Sequence, residues 1–250
     1  IVQYADDTTI FTNSFESATE IMKEIELFGE NAGPKINWSK SNFIKLNINE
    51  ENVTGLQFSN DPIKCLGVYV GKASQNVQNL NWETKLGKIK NTLDLWKMRK
   101  LTLYGRVVVI KHLVTSQLVY TAIAVPVPPT IIKQVNKLVY NFLWNSKKEK
   151  VKRNTCYNPV IEGGLGMIDI DSKCRSLRLS WIKKYFKEEQ SAWKVSFKYW
   201  TQKLGEIPIC FKYNCKKKDM YHICKRKKLP EFYIDLFCTW SELRYIDLLN

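Results

Sequence analysis

The sequence predicts an α+β fold, a small strand-containing front followed by a mainly helical remainder, and three observations carry that prediction. The first 72 residues alternate β-prone stretches with one run of helical spacing. From Trp82 onward, apolar residues recur three and four positions apart. Hydrophobic residues make up 44% of 250 positions, with 8 Trp, 12 Tyr and 11 Phe, which supports a packed core and argues against extended disorder. That length allows one large domain or two ordinary ones.

The elements follow in order. Val2 to Tyr4 and Thr8 to Phe11 are β-prone and flank Ala5-Asp6-Asp7, a pattern that predicts a tight hairpin with two carboxylates at its tip. Ser14 is placed to cap a helix whose stripe is Ala18, Ile21, Met22, Ile25 and Phe28, and Gly29 and Gly33-Pro34 close it. Ile36, Phe43, Ile44, Leu46 and Ile48 predict one or two further strands, and Lys64 to Val70 another. Trp82, Leu86, Ile89, Leu93 and Trp96 then form a helical stripe, as do Leu103, Val107, Ile110 and Val114. After Pro126-Val127-Pro128-Pro129, a third stripe runs through Val135, Leu138 and Phe142 with the neighbouring Val139 and Leu143, and short connections between three helices suggest a bundle. Gly163-Gly164-Leu165-Gly166 breaks the chain. Ser172 is placed to cap a fourth helix through Leu177, Trp181 and Tyr185, and no assignment is made beyond about residue 200.

The net charge of +15 is unevenly spread. Residues 1–84 hold 6 basic and 11 acidic groups, whereas residues 85–144 hold 10 and 1, and residues 145–228 hold 22 and 8. Two adjacent segments of one sign favour a polyanionic partner, and a solvated lysine surface is the competing reading. The longest nearly apolar stretch, Leu118 to Pro129, is too short for a bilayer, so no membrane is expected. Ile1 is no initiator and no signal peptide is read. The 7 scattered cysteines form no disulfide framework, which points to an intracellular location, with nucleus and cytoplasm both open.

Tyr4-Ala5-Asp6-Asp7 is the most informative stretch. Adjacent carboxylates repel one another unless a cation neutralises them. Mg²⁺ takes hard oxygen ligands and keeps positions for phosphate oxygens, the requirement of two-metal nucleotidyl transfer. An aromatic-x-Asp-Asp string arises by chance in about one chain in twenty of this length. A metal-free turn is therefore the competing reading.

The string opens an ordered series. Gln3-Tyr4-Ala5-Asp6-Asp7-Thr8-Thr9 is followed, after a helix-length interval, by Gly33-Pro34-Lys35-Ile36-Asn37-Trp38-Ser39-Lys40-Ser41. Ile63-Lys64-Cys65-Leu66-Gly67-Val68 comes next, then the run from Trp96 to Arg106, then Phe142-Leu143-Trp144 and Gly163-Gly164-Leu165-Gly166. In this order the elements resemble the C-terminal part of the reverse transcriptase of non-LTR (LINE-type) retrotransposons. The resemblance implies the end of a polymerase palm over residues 1–72, a helical thumb over 73–145 and a basic, mainly helical C-terminal region over 146–250. It makes Asp6 a metal ligand assisted by Asp7, in a two-metal Mg²⁺ site that is incomplete here. It sets Tyr4 beside the template–primer end, and Cys65, Leu66 and Gly67 against the primer terminus. It also makes Lys40 a candidate to protonate the departing pyrophosphate, with an ordinary solvated lysine as the alternative.

Lys97, Arg99, Lys100 and Arg106 are the candidates to hold nucleic acid in the helical segment, through phosphate contacts that carry no sequence preference. The partners implied are an RNA template and DNA primer, or an RNA–DNA hybrid, and the remainder of the same polyprotein. The family's further palm aspartate and its basic fingers have no counterpart before Tyr4, so little polymerase activity is expected of the chain alone. A non-catalytic nucleic-acid-binding remnant is the second reading, and a basic protein with a coincidental Asp-Asp turn the third. The runs Lys147 to Arg153 and Lys225 to Lys228 suit RNA binding, nuclear import or a solvated loop alike. Cys210, Cys215, His222 and Cys224 fit no common zinc spacing, and Zn²⁺ is not expected.

Overall fold

The computed structural model describes residues 2–4, 6–33, 35–45, 58–59, 61–71, 74–145, 148–205 and 215–243; Ala5, Pro34, Leu46, Ile48, Lys147 and Cys210 lie outside them. Short strands in the first seventy residues precede a mainly helical remainder, the α+β arrangement read from the sequence. Contacts divide the chain into two units, Ile1–Leu80 and Asn81–Asn250.

In the first unit, β1 (Val2–Tyr4) and β2 (Asp7–Thr9) pair antiparallel with Tyr4 opposite Asp7 and Val2 opposite Thr9. The second strand thus begins at Asp7 rather than Thr8, because Asp7 pairs directly with Tyr4. Helix α1 (Phe15–Ala32) starts where the Ser14 side chain accepts the Ser17 N–H at 3.1 Å. It stops at Gly33, whose φ of 88° lets its N–H reach the Gly29 carbonyl at 2.9 Å. Its apolar stripe is only half-covered: Ala18, Ile21, Met22 and Ile25 are half-buried and Phe28 is exposed. Phe15, at the first turn, packs edge-on against Phe58 at 5.3 Å, and Phe58 meets Phe43 at 6.0 Å. Those contacts join β3 (Phe43–Ile44) to β4 (Phe58–Ser59), which run parallel.

The predicted strand from Lys64 to Val70 is a hairpin of β5 (Ile63–Cys65) and β6 (Val68–Val70). Leu66 at φ 45° and Gly67 at φ 81° turn it, and two left-handed residues give the turn that matches the strands' twist.

The second unit is built on the predicted stripes. Helix α2 (Ser74–Lys97) contributes Trp82, Ile89 and Leu93, all buried, and Trp82 donates its indole N–H to the Pro126 carbonyl at 2.9 Å. Thr102 caps α3 (Leu103–Val109), which continues through a π-helical turn, Ile110–Val114, into α4 (Thr115–Ala124). This run of 22 residues, Leu103–Ala124, is long and apolar enough to cross a membrane by length and composition. Read as sequence it is interrupted by Arg106 and Lys111, which hid its length. Its apolar content has a destination inside the protein: Val107, Ile110, Val114, Leu118 and Ala122 are buried in one core cluster. Helix α5 (Pro129–Leu143) starts with proline at its first position, where the missing N–H leaves no bond unmade, and buries Val135, Val139 and Phe142 in the same cluster.

The chain then makes α6 (Arg153–Tyr157), a 3₁₀ turn (Val160–Glu162) and a tight glycine loop before α7 (Ile170–Tyr185). The cap of α7 is Asp169, whose carboxylate accepts the Ser172 N–H at 3.3 Å; the expected cap, Ser172, is already inside the helix and bonds the same carboxylate. Asp169 wins because an ionised oxygen accepts more strongly than a hydroxyl. Beyond lie α8 (Ala192–Gln202), α9 (Lys217–Arg226) and α10 (Glu231–Glu242), the last two in the stretch past residue 200 where the sequence pattern weakens.

Candidate functional site

Asp6 sits in the turn of the β1–β2 hairpin and Asp7 opens β2, both exposed. Directly paired residues of an antiparallel ladder point to one face, so Asp7, Tyr4, Val2 and Thr9 share a face and Gln3 and Thr8 lie on the other. Tyr4 is 69% exposed. Among the described residues neither carboxylate is in an ion pair, and no group of three His, Cys, Asp or Glu is placed to hold a metal. The donor set is therefore two hard carboxylates on a short turn, which fit part of a Mg²⁺ shell and leave the rest to other ligands.

The structure brings this hairpin to a second one. The Thr9 hydroxyl and the Cys65 thiol lie 3.6 Å apart, a contact that joins the base of the Asp6 hairpin to the last residue of β5. The Leu66-Gly67 turn follows at once. Leu66 is 39% exposed while held at positive φ, a conformation that costs an ordinary side chain about 1–2 kcal/mol. Neither the contact nor the strain is visible as a sequence pattern.

Lys40 lies on a turn whose hydrogen bonds close on themselves. Asn37 organises that turn: its carbonyl accepts from the Lys40 and Ser41 N–H groups at 3.0 Å and from the Ser41 hydroxyl, and its side-chain oxygen accepts from Ser39 at 2.7 Å. The Asn37-Trp38-Ser39-Lys40-Ser41 string is thus legible as a turn once Asn37 is read as its hub. Lys40 is exposed.

The basic candidates belong to the second unit. Lys97, Arg99 and Lys100 are exposed at and just beyond the end of α2, where cations also suit the negative helix terminus. The Arg99 guanidinium lies 4.5 Å from the Trp96 ring centre, which restricts where it can reach. Arg106 is half-buried and donates to the Leu143 carbonyl at 3.1 Å, closing the end of α5. That bond gives it a structural task that the charge pattern did not reveal.

Arg178, which no sequence motif marks, is 2% exposed at the side chain. It donates to Asp235 at 2.8 Å and to the Ile123 carbonyl at 3.0 Å, and its guanidinium stacks on Phe232 at 4.7 Å. Burial pulls its pKa down, against the attraction of Asp235. Trp181 donates to the same Ile123 carbonyl at 3.0 Å, so α7 is fastened to the end of α4 twice. A basic residue in a helix looks solvated by default, and only its register on the buried side could have signalled this role.

Of the cysteine–histidine group, His222 is exposed, Cys215 is half-buried and Cys224 is buried, its thiol pushed up to about 12 by burial. Cys210 lies outside the described residues.

Residues 1–70 match the family described as Reverse transcriptase (RNA-dependent DNA polymerase). The chain is 29% identical over 199 residues to the "Transposon TX1 uncharacterized 149 kDa protein" of Xenopus laevis, a match covering 75% of this chain and 15% of that protein. It is 28% identical over 117 residues to a "Putative ribonuclease H protein" of Arabidopsis thaliana, covering 44% of this chain and 18% of that one. The matched region is thus less than a fifth of either relative's length.

Proposed function

We propose, on the premise that residues 1–70 are a reverse transcriptase segment, that this chain carries the aspartate hairpin and nucleic-acid-holding helices of an RNA-directed DNA polymerase of a non-LTR retrotransposon. The observation that carries this is the pairing of two hairpins: Asp6 at the turn of one, Leu66-Gly67 at the turn of the other, joined by Thr9 and Cys65. Such a pair suits a site where a primer terminus must be held close to metal-binding carboxylates, since a fixed approach lowers the entropic part of the barrier.

The family implies a divalent metal, and Asp6 with Asp7 would hold Mg²⁺ through their carboxylate oxygens. When bound, the ion supplies charge stabilisation for transfer of a nucleotidyl group to a 3′-hydroxyl. Tyr4, on the same face as Asp7, lies beside the template–primer end. The strained Leu66-Gly67 turn, with Cys65, presses backbone against the primer. Lys40 neutralises or protonates the departing pyrophosphate. In the second unit, Lys97, Arg99 and Lys100 bind phosphates of an RNA–DNA hybrid, and Arg106 steadies the helices that carry them.

The half-covered stripe of α1 supports a place for this unit on a larger palm, which the remainder of a polyprotein would provide. Primer extension by a polypeptide that joins this chain to a palm-and-fingers segment tests the proposal. Asp6→Ala is expected to abolish extension while hybrid binding persists. Equal extension by the variant sinks the catalytic reading, and hybrid binding with no extension by the parent favours a non-catalytic remnant.

A further inference from the structure

The outward face of α8 carries a chemistry that the core does not use. Phe197, Thr201 and Leu204 turn inward and are buried, with Phe197 at 1% exposure. Val195, Lys198, Tyr199 and Gln202, spaced as one helical face, all point to solvent, with Val195 74% and Tyr199 54% exposed. The Tyr199 ring is held rather than loose: it meets Trp200 edge-on at 5.0 Å, and the Lys203 ammonium lies 4.8 Å from its centre and 4.3 Å from that of Trp200. From Gln190 to Gly205 the sequence has three lysines and no acidic residue. Among the described residues neither Lys198 nor Lys203 is in an ion pair. Lys203 also suits the negative end of α8, but that explains neither mid-helix Lys198 nor the exposed ring.

We propose that this face binds single-stranded RNA. An unpaired base stacks on Tyr199, Lys198 and Lys203 take the flanking phosphates, and the Gln202 amide bonds a ribose 2′-hydroxyl. The occupant follows from the chemistry. An exposed ring beside cations suits a strand whose base faces are open, and a duplex hides those faces. A helix with lysines and no carboxylate of its own suits a polyanion. The site rests on the nucleic-acid reading above but needs neither Asp6 nor the hairpins.

Fluorescence anisotropy of the full chain with a labelled mixed-sequence 12-nucleotide RNA tests it. Tyr199→Ala is expected to weaken binding roughly tenfold, and Tyr199→Phe to bind as the parent does. Lys198→Gln with Lys203→Gln is expected to flatten the dependence of log affinity on log salt by about 1.4. Lys227→Gln with Lys228→Gln, in the exposed run Lys225 to Lys228, is expected to cost less than Tyr199→Ala. Binding of Tyr199→Ala equal to the parent overturns the proposal. So does equal or tighter binding of a DNA strand of the same sequence, or a Tyr199→Ala loss confined to anionic phosphatidylserine vesicles. A parent that binds an RNA–DNA hybrid but not the single strand removes this site and leaves the polymerase reading standing. A parent that binds the single strand but not the hybrid does the reverse.

Discussion

Leu66 and Gly164 show how much can rest on one backbone position. Leu66 keeps a branched side chain at φ 45°, so Leu66→Gly is expected to raise stability by about 1 kcal/mol in urea unfolding. If its strain presents the turn to a primer, the same variant lowers primer extension, a split between stability and activity that a purely structural turn would not show. A Cβ on Gly164 would lie 2.0 Å from the Asn158 carbonyl oxygen, and backbone cannot step aside as a side chain can. Gly164→Ala is expected to cost about 3 kcal/mol or more, read as a lower urea midpoint. Gly87 is the contrast: exposed within α2 with nothing within 4 Å of an added Cβ, it is expected to gain up to about 1 kcal/mol as alanine. The sequence shows three glycines in Gly163-Gly164-Leu165-Gly166 and does not show which is indispensable, since that depends on Asn158 coming close.

At the scale of elements, α7, α4 and α10 are held together by Arg178. Its charge is out of water and offset by Asp235, so removing one partner leaves the other without compensation. Asp235→Leu is expected to cost about 3 kcal/mol, and the double variant Arg178→Met with Asp235→Leu to recover much of it. A double-mutant cycle in denaturant measures the coupling. The helices themselves were legible because their buried positions follow one period: Trp82, Ile89 and Leu93 in α2, and Val135, Val139 and Phe142 in α5, are where spacing placed them. The π turn in the helix after Thr102 was not, because the apolar period runs unbroken from Ile110 through Val114 and Leu118. The second hairpin is legible only through the Leu66-Gly67 motif and its family resemblance, since residue preference alone makes Lys64 to Val70 one strand and the turn depends on positive φ at Leu66 and Gly67.

For the whole molecule, thiols report how firmly the helical unit is closed. Burial pushes Cys174 and Cys224 up to about 12 and Cys238 to about 11, from an ordinary value of 9.0. Folded, these groups keep their protons where the unfolded chain loses them, so stability is expected to be complete below pH 9 and to fall as pH rises from 9 toward 12. Thermal unfolding across that range checks the sign. Iodoacetamide at pH 8 is expected to leave the three untouched in the native chain and to modify them once it is unfolded. The charge of the helical unit acts at the same scale. Hybrid binding is expected to weaken steeply with salt, and neutralising Lys97 and Lys100 together to flatten that dependence by up to about 1.8 on a log–log plot.

The sequence alone determined the α+β order, the helical stripes and the ordered motifs that tie residues 1–70 to reverse transcriptases, because period, capping and motif spacing are local or nearly local properties. Tertiary structure decided what those pieces touch. It joined Thr9 to Cys65, turned Arg106 toward Leu143, buried Arg178 against Asp235 and left Tyr199 facing water. Each outcome depends on partners tens of residues away, or on which side of a helix the core lies. A charge or an aromatic ring reads the same in sequence whether it ends in solvent or against a distant carbonyl, and only packing distinguishes the two.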